Sequence, residues 1–382
     1  MDFDLGDRSA RLRTRLRALI DAHIPEGYLG AFTDDPADLA IAQQFCAVLA
    51  DEGLLTVAWP QEYGGAAGSV WEQTVVREEM WAHHEPRGAQ YMGLNWVGPA
   101  IMAFGTGEQK QRHLPPIAAG QVIWCQGFSE PGAGSDLAAL ATRAVADGDG
   151  WRITGQKVWT SYAGMAQWCV LAARVGAGDR HEGITMFLVP MDAAGIQVVP
   201  IASMLGPHHL NEVFLDQVAV GPEAVLGGIG QGWAVIRRAL AHERVGIARY
   251  ARCERLLSLL GNRLASGSVD LAPALAVRWA RALVQVRVAR LLSYRAVVAG
   301  ATGEGADAAA SAARIAVTAC DQLVAELLFQ ALGEGCLEAG PGAPLNGAVE
   351  DHWRYAQAAT VASGTIEVQR MIVAKDLLGS TA

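Results

Sequence analysis

The chain has 382 residues, 51% hydrophobic and 18% charged, with a net charge of −9. A chain this long buries about three quarters of its unfolded surface but exceeds one comfortable core, so two or three cooperating domains are expected. The acidic balance, without any block of lysines, argues against nucleic acid as a partner, although a few local arginines suffice to hold an anionic nucleotide.

The N-terminus opens acidic and continues as an amphipathic helix, without the basic start and apolar core of a signal peptide. No apolar run approaches the ~20 residues of a membrane span, and a cytosolic address is the expectation. Residues 1–120 read as helices, with Leu12, Leu16, Leu19 and Ile20 on one stripe and Phe45, Val48 and Leu49 on another. Trp59-Pro60 and Glu62-Tyr63-Gly64-Gly65 punctuate them as loops.

Residues 121–225 change texture. Short β-rich runs at Trp151–Thr154, Cys169–Leu171, Thr185–Val189 and Glu212–Leu215 alternate with Gly, Pro and Asp turns, which predicts a compact antiparallel domain. From 226 to 382 helical periodicity returns, interrupted only at Gly300–Gly305 and Gly333–Gly347. The fold class is α+β, in the order helical, β, helical. Six scattered cysteines (Cys46, Cys125, Cys169, Cys253, Cys320, Cys336), with no C-x-x-C and no clustered histidines, predict packing thiols rather than a disulfide framework or a metal site.

Two segments stand out. Gly127-Phe128-Ser129-Glu130-Pro131-Gly132-Ala133-Gly134-Ser135-Asp136 is a small-residue loop whose glycines permit positive φ and close approach of backbone N–H groups to a ligand. Gly155-Gln156-Lys157-Val158-Trp159-Thr160-Ser161 follows about twenty residues on. Read alone, the first is equally an ordinary β-turn, and the spacing fits neither a P-loop nor a dinucleotide fingerprint. On composition alone Trp159 is a core residue.

Together the two segments resemble the acyl-CoA dehydrogenase family. Its E-P-G-A-G-S-D is matched by Glu130–Asp136, its G-Q-K-x-W-x-[ST] by Gly155–Ser161, and its G-T-x-E-I-Q-R by the stretch around Gly364-Thr365-Ile366-Glu367-Val368-Gln369-Arg370. The resemblance covers essentially the whole chain. It implies an N-terminal helical domain, a middle antiparallel β-domain and a C-terminal helical bundle, with FAD as cofactor and an acyl-CoA as substrate. By the same resemblance Gln126, Phe128, Ser129 and Ser135 wrap the flavin edge, Trp159 packs on its face and the Ser161 hydroxyl reaches N5. Ser135 also touches the CoA side, and Thr365 and Glu367 hold the FAD phosphate and ribose region.

The reaction needs a carboxylate base over the α carbon. Where many relatives carry it as Y-E-G-T, this chain has Ala362-Ser363-Gly364-Thr365, and a serine is no base at neutral pH without an activating partner. The helix from about Gly232 carries an apolar stripe, Trp233, Ile236, Leu240, Ile247 and Tyr250, and Glu243 fills its i+3 gap. On pattern alone that acid is equally a core salt bridge or a wet edge. The resemblance favours a base, because isovaleryl-CoA, long-chain and steroid-side-chain dehydrogenases place theirs on this helix in an E-R-x-x-x-A context, matched by Glu243–Ala248. Arg244 would then position substrate or a nearby loop, while the Ser363 backbone N–H, beside Gly364, would bond the thioester carbonyl.

Two departures concern the subunit interface. The family's R-x-x-F-G is replaced by Asn262–Gly267, and Q-x-L-G-G becomes Gln330-Ala331-Leu332-Gly333-Glu334. By the resemblance those elements act across subunits, so an oligomer is expected, an α2β2 assembly with a sister chain or else a homodimer or homotetramer in which Arg278 or Arg281 takes over the contact, with an electron-transfer flavoprotein as acceptor. Trp124–Gly127 and Asn211–Phe214 point to the steroid-side-chain branch and a bulky or branched acyl group. The alternatives are a flavin monooxygenase on the same fold, which needs no carboxylate over the α carbon, and a non-catalytic subunit of a heteromeric dehydrogenase.

Overall fold

The computed structural model describes residues 5–30, 35–176, 178, 180–246, 248–302 and 305–379, with the side chains at 207–208 and 241–246 outside that description. The chain forms two compact units, one made of Met1–Gly30, Val70–Pro86 and Glu243–Ala382, the other of Ala31–Ser69 and Arg87–His242.

The second unit is built on a sheet. Its strands are β1 (Trp124–Gly127), β2 (Arg143–Asp147), β3 (Gly150–Lys157), β4 (Trp168–Arg174), β5 (Ile184–Pro190), β6 (Ile196–Ser203), β7 (Gly206–Val220) and β8 (Val225–Leu226). They run in the order β6-β7-β3-β2-β4-β5-β8, with β1 pairing β4. Most pairings are antiparallel, as the alternating runs predict, but β1 lies parallel to β4 and β2 touches β4 in parallel. That is a departure from the all-antiparallel expectation, and its cause is non-local: strands separated by long loops return to one partner. Cys125, Ile153, Cys169, Leu171, Phe187, Val189, Val213, Leu215 and Val218 form the core of this unit.

Helices α2 (Pro36–Asp51), α4 (Gly98–Phe104) and α5 (Gly107–Ala118) also belong to the sheet unit. Thr106 and Gln109 close a reciprocal capping box at the start of α5. The Gln109 amide then donates to the carbonyls of Glu223 (2.7 Å) and Val225 (2.9 Å), tying the helix to the β8 edge. Before α4, Gly93–Val97 make one π-helical turn.

The other unit is helical: α1 (Gly6–His23), α3 (Val70–Ala82), α7 (Arg249–Ala265), α8 (Pro273–Thr302), α9 (Ala306–Leu332), α10 (Ala348–Ala358) and α11 (Ile366–Leu378). Helices α8 and α9 pack closely through Ala296, Ala309, Ala310 and Ala313. Its core is polar in places. Fully buried Glu78 accepts from Tyr250 and Tyr294 hydroxyls (both 2.9 Å) and from Arg13, and buried Asp321 accepts from Arg249 Nε at 2.6 Å. Buried Cys253, Asp321 and His352 bring their donor atoms within 4.8 Å of one another, but Arg249 already meets the Asp321 charge. All six cysteines are buried and form no disulfide.

Three readings of the sequence need amendment. Helix α9 is, by length and a mean hydropathy of 1.4, long and apolar enough to cross a membrane, although charged residues interrupt its apolar run. It buries Arg314 and Asp321 and packs on α8, α10 and α11, the environment of a core helix. The C-terminal helices also break at more places than the glycine-rich stretches, notably at 266–272 and around Ala248. Finally, α6 (Gly232–Gly246) ends before Ala248, whose φ −81° and ψ 51° leave the helical region. Tyr250 therefore belongs to α7, and the stripe proposed from Trp233 through Tyr250 is not one helical face. Among the described side chains of α6, Gly232, Val235, Ile236 and Ala239 are buried.

Candidate active site

Strand β1 delivers the chain into the Phe128–Asp136 loop, and Gly127 is needed at its end. A Cβ there would stand 2.6 Å from Leu171 Cδ1 on the paired strand. Glu130 and Ala133 then exchange both backbone hydrogen bonds at 3.0 Å, closing a tight turn around Pro131-Gly132. Gly132 and Gly134 do not have positive φ, contrary to the expectation that the loop exploits left-handed glycines. A Cβ on either would meet nothing within 4 Å, so what they leave is open space beside the backbone.

The loop is locked from behind. The buried Glu130 carboxylate accepts from the Ala141 N–H (2.6 Å), the Thr142 N–H (3.0 Å) and Lys157 Nζ (2.8 Å). Lys157, fully buried at the end of β3, also donates to the Phe128 carbonyl at 3.1 Å. Burial alone would raise the Glu130 carboxyl, but the Lys157 ammonium and the two N–H groups outweigh it and hold it below the usual range. Burial lowers the Lys157 ammonium against the pull of Glu130. Gly155 sits at a bulge in the same strand, where a Cβ would overlap Thr142 Oγ1 at 2.3 Å.

Beyond β3 the chain turns sharply. Trp159 takes φ +59° and Tyr162 φ +62°, costly conformations for bulky residues. Each side of the turn is pinned: Val158 N–H donates to the Ser129 carbonyl (2.9 Å), Thr160 N–H to Asn211 O (2.9 Å) and Tyr162 N–H to His209 O (3.0 Å). The Asn211 amide donates back to Thr160 O at 3.1 Å. The result displays Trp159 with 57% of its surface exposed. The His209 ring packs edge-on against Tyr162 at 5.0 Å, and burial pushes its pKa down to about 4.

Of the residues singled out from sequence, the sheet unit brings together Gln126, Phe128, Ser129, Ser135, Trp159 and Ser161 along β1, its loop and the post-β3 turn. Phe128 is buried, Gln126, Ser129 and Ser161 are half-buried, and Ser135 is exposed. The Gln126 Oε1 and Thr160 Oγ1 atoms are buried with no hydrogen-bond partner among the described residues. An exposed tryptophan face, unmet polar atoms and open space beside backbone N–H groups fit a flat ring with hydrogen-bonding edges.

Ser363, Gly364, Thr365 and Glu367 belong to the helical unit. Ser363 is half-buried at φ +57°, and Gly364 follows at +84°. The Gln369 amide donates to both their carbonyls, at 3.4 and 3.3 Å, and Arg314 donates to Ala359 O (3.0 Å) and Ala362 O (2.7 Å). Thr365 caps α11, its hydroxyl accepting from Val368 N–H at 3.3 Å, and exposed Glu367 lies in the first turn. The side chains of Glu243 and Arg244 lie outside the described residues, although the α6 backbone runs through both.

Sequence reasoning passed over the Glu130–Lys157 lock and Asn95. The first had a signal, since Lys157 falls on an inward position of an alternating strand, where a charge requires a partner. Asn95, fully buried in the π-helical turn, sits among Leu94, Trp96 and Val97 and gives none.

Comparison with known proteins agrees with this geometry. Models of the acyl-CoA dehydrogenase N-terminal, middle and C-terminal domains match residues 7–121, 125–218 and 230–378. The chain is 35% identical over 343 residues to acyl-CoA dehydrogenase IpdE1 of Mycobacterium tuberculosis, covering 87% of this chain and 86% of that one. Among solved structures, the "Tcur3481-Tcur3483 steroid ACAD" superposes with a TM-score of 0.91 at 32% identity, covering 100% of this chain and 99% of that one. The ChsE4-ChsE5 complex from Mycobacterium tuberculosis gives 0.89 at 31% identity with 100% of both chains covered. The chain belongs to the acyl-CoA dehydrogenase family and is an oxidoreductase acting on acyl-CoA.

Proposed function

We propose that the chain is an FAD-dependent dehydrogenase that introduces a trans-2 double bond into a bulky acyl-CoA of the steroid-side-chain type, with Glu243 as the base. The observation that carries this reading is the locked Phe128–Asp136 loop facing a turn strained to display Trp159. Strain of that kind, over-determined by its surroundings, accumulates at functional sites. The three-part division at about 120 and 225 belongs to the same reading and is supported by the ranges of the three family models.

Gln126, Phe128, Ser129, Trp159 and Ser161 would hold the flavin ring. The N-terminal end of α11, with the Thr365 hydroxyl, suits a phosphate, and the Glu367 carboxylate suits ribose hydroxyls better than phosphate. Bound FAD supplies the hydride acceptor at N5. Glu243 takes the α proton, and its position is in helical register with the buried Ile236 and Ala239. The Ser363 backbone N–H donates to the thioester carbonyl and stabilises the negative charge that develops as the proton leaves. Ser135, Arg244 and Gly364 contact the CoA and thioester portions.

The partner reading is an α2β2 assembly with a sister chain, handing electrons to an electron-transfer flavoprotein. It is supported by the two-protein descriptions of the similar solved structures and by the absence of R-x-x-F-G at Asn262–Gly267. Expressed alone, the chain should show incomplete FAD occupancy and low turnover. Full occupancy and normal activity as a homo-oligomer would remove the sister chain from the account.

The test of the base is Glu243→Gln, which keeps shape and removes basicity. Turnover of an acyl-CoA panel with an artificial acceptor should fall by about two to four orders of magnitude while FAD stays bound. Ser363→Ala should be mild, because only its backbone N–H is used. Near-normal turnover in the glutamine variant would exclude Glu243.

A further inference from the structure

Within the sheet unit, unmet polar atoms gather around the π-helical turn Gly93–Val97. Asn95 is fully buried, and neither its Oδ1 nor its Nδ2 has a hydrogen-bond partner among the described residues. The indole N–H groups of Trp96 and Trp124 are likewise buried and unpartnered. Leaving a buried amide without partners is costly, and each indole adds to it, so a fold retains such a set for something that pairs with it.

Asn95 and Trp96 share the π turn, and Trp124 stands against it. The π turn packs on β1, where a Cβ on Gly93 would stand 3.4 Å from Trp124 Cδ1, so the nitrogen-bearing edge of that indole faces the turn. Trp96 meets Tyr91 edge-on at 5.2 Å, and Tyr91 meets Tyr162 at 6.0 Å, which leads to the turn that displays Trp159. Gln126, on the same face of β1 as Trp124, carries another unmet oxygen two residues before Phe128. A π turn inside a helical segment, often found at functional sites, re-aims the residues it carries.

Resting on the dehydrogenase reading, we infer that Asn95, with Trp96 and Trp124, is a specificity-determining polar recess for a neutral carbonyl oxygen, such as a ring ketone, on the acyl portion of the substrate. The chemistry selects this class. The set is dominated by donors, two indole N–H groups and the Asn95 amide, so it seeks an acceptor. It contains no cation, so it does not suit a carboxylate or the phosphates of CoA. All three side chains are buried, so the group that pairs with them is an uncharged end of the acyl portion.

The test uses the full FAD-loaded chain, with its sister chain where assembly requires one. The probes are 3-cyclohexylpropanoyl-CoA and its ring 3-oxo and 4-oxo derivatives, compared by dissociation constant and by kcat/KM. The wild type should favour an oxo derivative by about tenfold or more, and Asn95→Leu should bring that preference close to one. Trp96→Phe, which removes one N–H and keeps an aromatic ring, should weaken it in part. Ligand-free Asn95→Leu should also melt about 2 °C or more higher, because two unmet polar atoms have gone. No oxo preference in the wild type, or a preference that survives Asn95→Leu, overturns the inference. So does a lowered melting temperature with unchanged preference, the sign of an asparagine bound only to buried water. A binding preference that Asn95→Leu abolishes, with no turnover of any probe, keeps the recess and discards the dehydrogenase reading. Turnover without any effect of Asn95→Leu does the reverse.

Discussion

Two turns put a non-glycine residue into the left-handed region beside candidate site residues, and they are held there by opposite means. Trp159 (φ +59°) is held by the sheet: backbone hydrogen bonds to Ser129 and Asn211 on either side, with the buried Glu130–Lys157 pair behind the loop it faces. Ser363 (φ +57°) is held by helix side chains, the Gln369 amide on its own carbonyl and Arg314 on Ala359 and Ala362. A left-handed non-glycine residue costs about 1–2 kcal/mol, so each needs such bracing. The difference teaches what each scaffold is suited to present. Strand pins free the whole side chain, and a large exposed ring is displayed. A helix-end turn closed by side chains fixes the path of the main chain, where a small serine suffices.

The comparison can be broken most strongly at Lys157. Lys157→Met leaves the buried Glu130 carboxylate without its cation, which should destabilise by about 3 kcal/mol or more and release the loop. Chemical denaturation and hydrogen exchange should show 128–136 and 158–162 losing protection while 359–365 keeps it. Equal loss in both segments would mean that the two turns are not independently held.

Acid sharpens the contrast. The buried His209 has a folded pKa of about 4, below its unfolded value near 6.5, so the unfolded chain binds more protons between them. Stability is fully present above pH 6.5 and falls as the pH drops toward 4, by about 3 kcal/mol for this one group. His209→Gln should flatten that part of the stability profile. An unchanged slope would remove His209 from the acid response of the Trp159 turn.

On the other turn, Arg314→Met leaves the Ala359 and Ala362 carbonyls without this donor, a loss of about 2 kcal/mol. Hydrogen exchange should rise at 359–365 and stay unchanged at 158–162. The smallest effect is at Ser363 itself, where glycine relieves strain, so Ser363→Gly should raise stability by about 0.5–1 kcal/mol with little change in turnover. A destabilised Ser363→Gly would mean that the serine side chain holds the turn.

The sequence made the middle strands legible because half-buried strands alternate and their turns carry glycine and aspartate. It made the Glu130–Asp136 and Gly155–Ser161 segments legible because their residue order is distinctive. The glycines of the loop were credited with positive φ, yet the left-handed residues are Trp159 and Tyr162, whose strain is imposed by tertiary pins that no local propensity encodes. The parallel β1–β4 pairing was hidden for the same non-local reason. The run from Trp233 to Tyr250 looked continuous because periodicity survives a short break, and nothing at Ala248 announces one. Asn95 was invisible because an amide in an aromatic stretch has no sequence signature until its lack of partners is seen.

The central claim is that this chain oxidises an acyl-CoA at its flavin with Glu243 as base, and the most direct measurement is anaerobic reduction. Protein loaded with FAD, together with a sister chain if assembly requires one, is mixed with saturated acyl-CoAs in the absence of oxygen and followed by flavin absorbance. The account predicts that the oxidised-flavin band bleaches with at least one bulky acyl-CoA, and that in Glu243→Gln the band persists although FAD remains bound. A wild type that holds FAD but is bleached by none of them, or a Glu243→Gln variant bleached as fast as wild type, would contradict it.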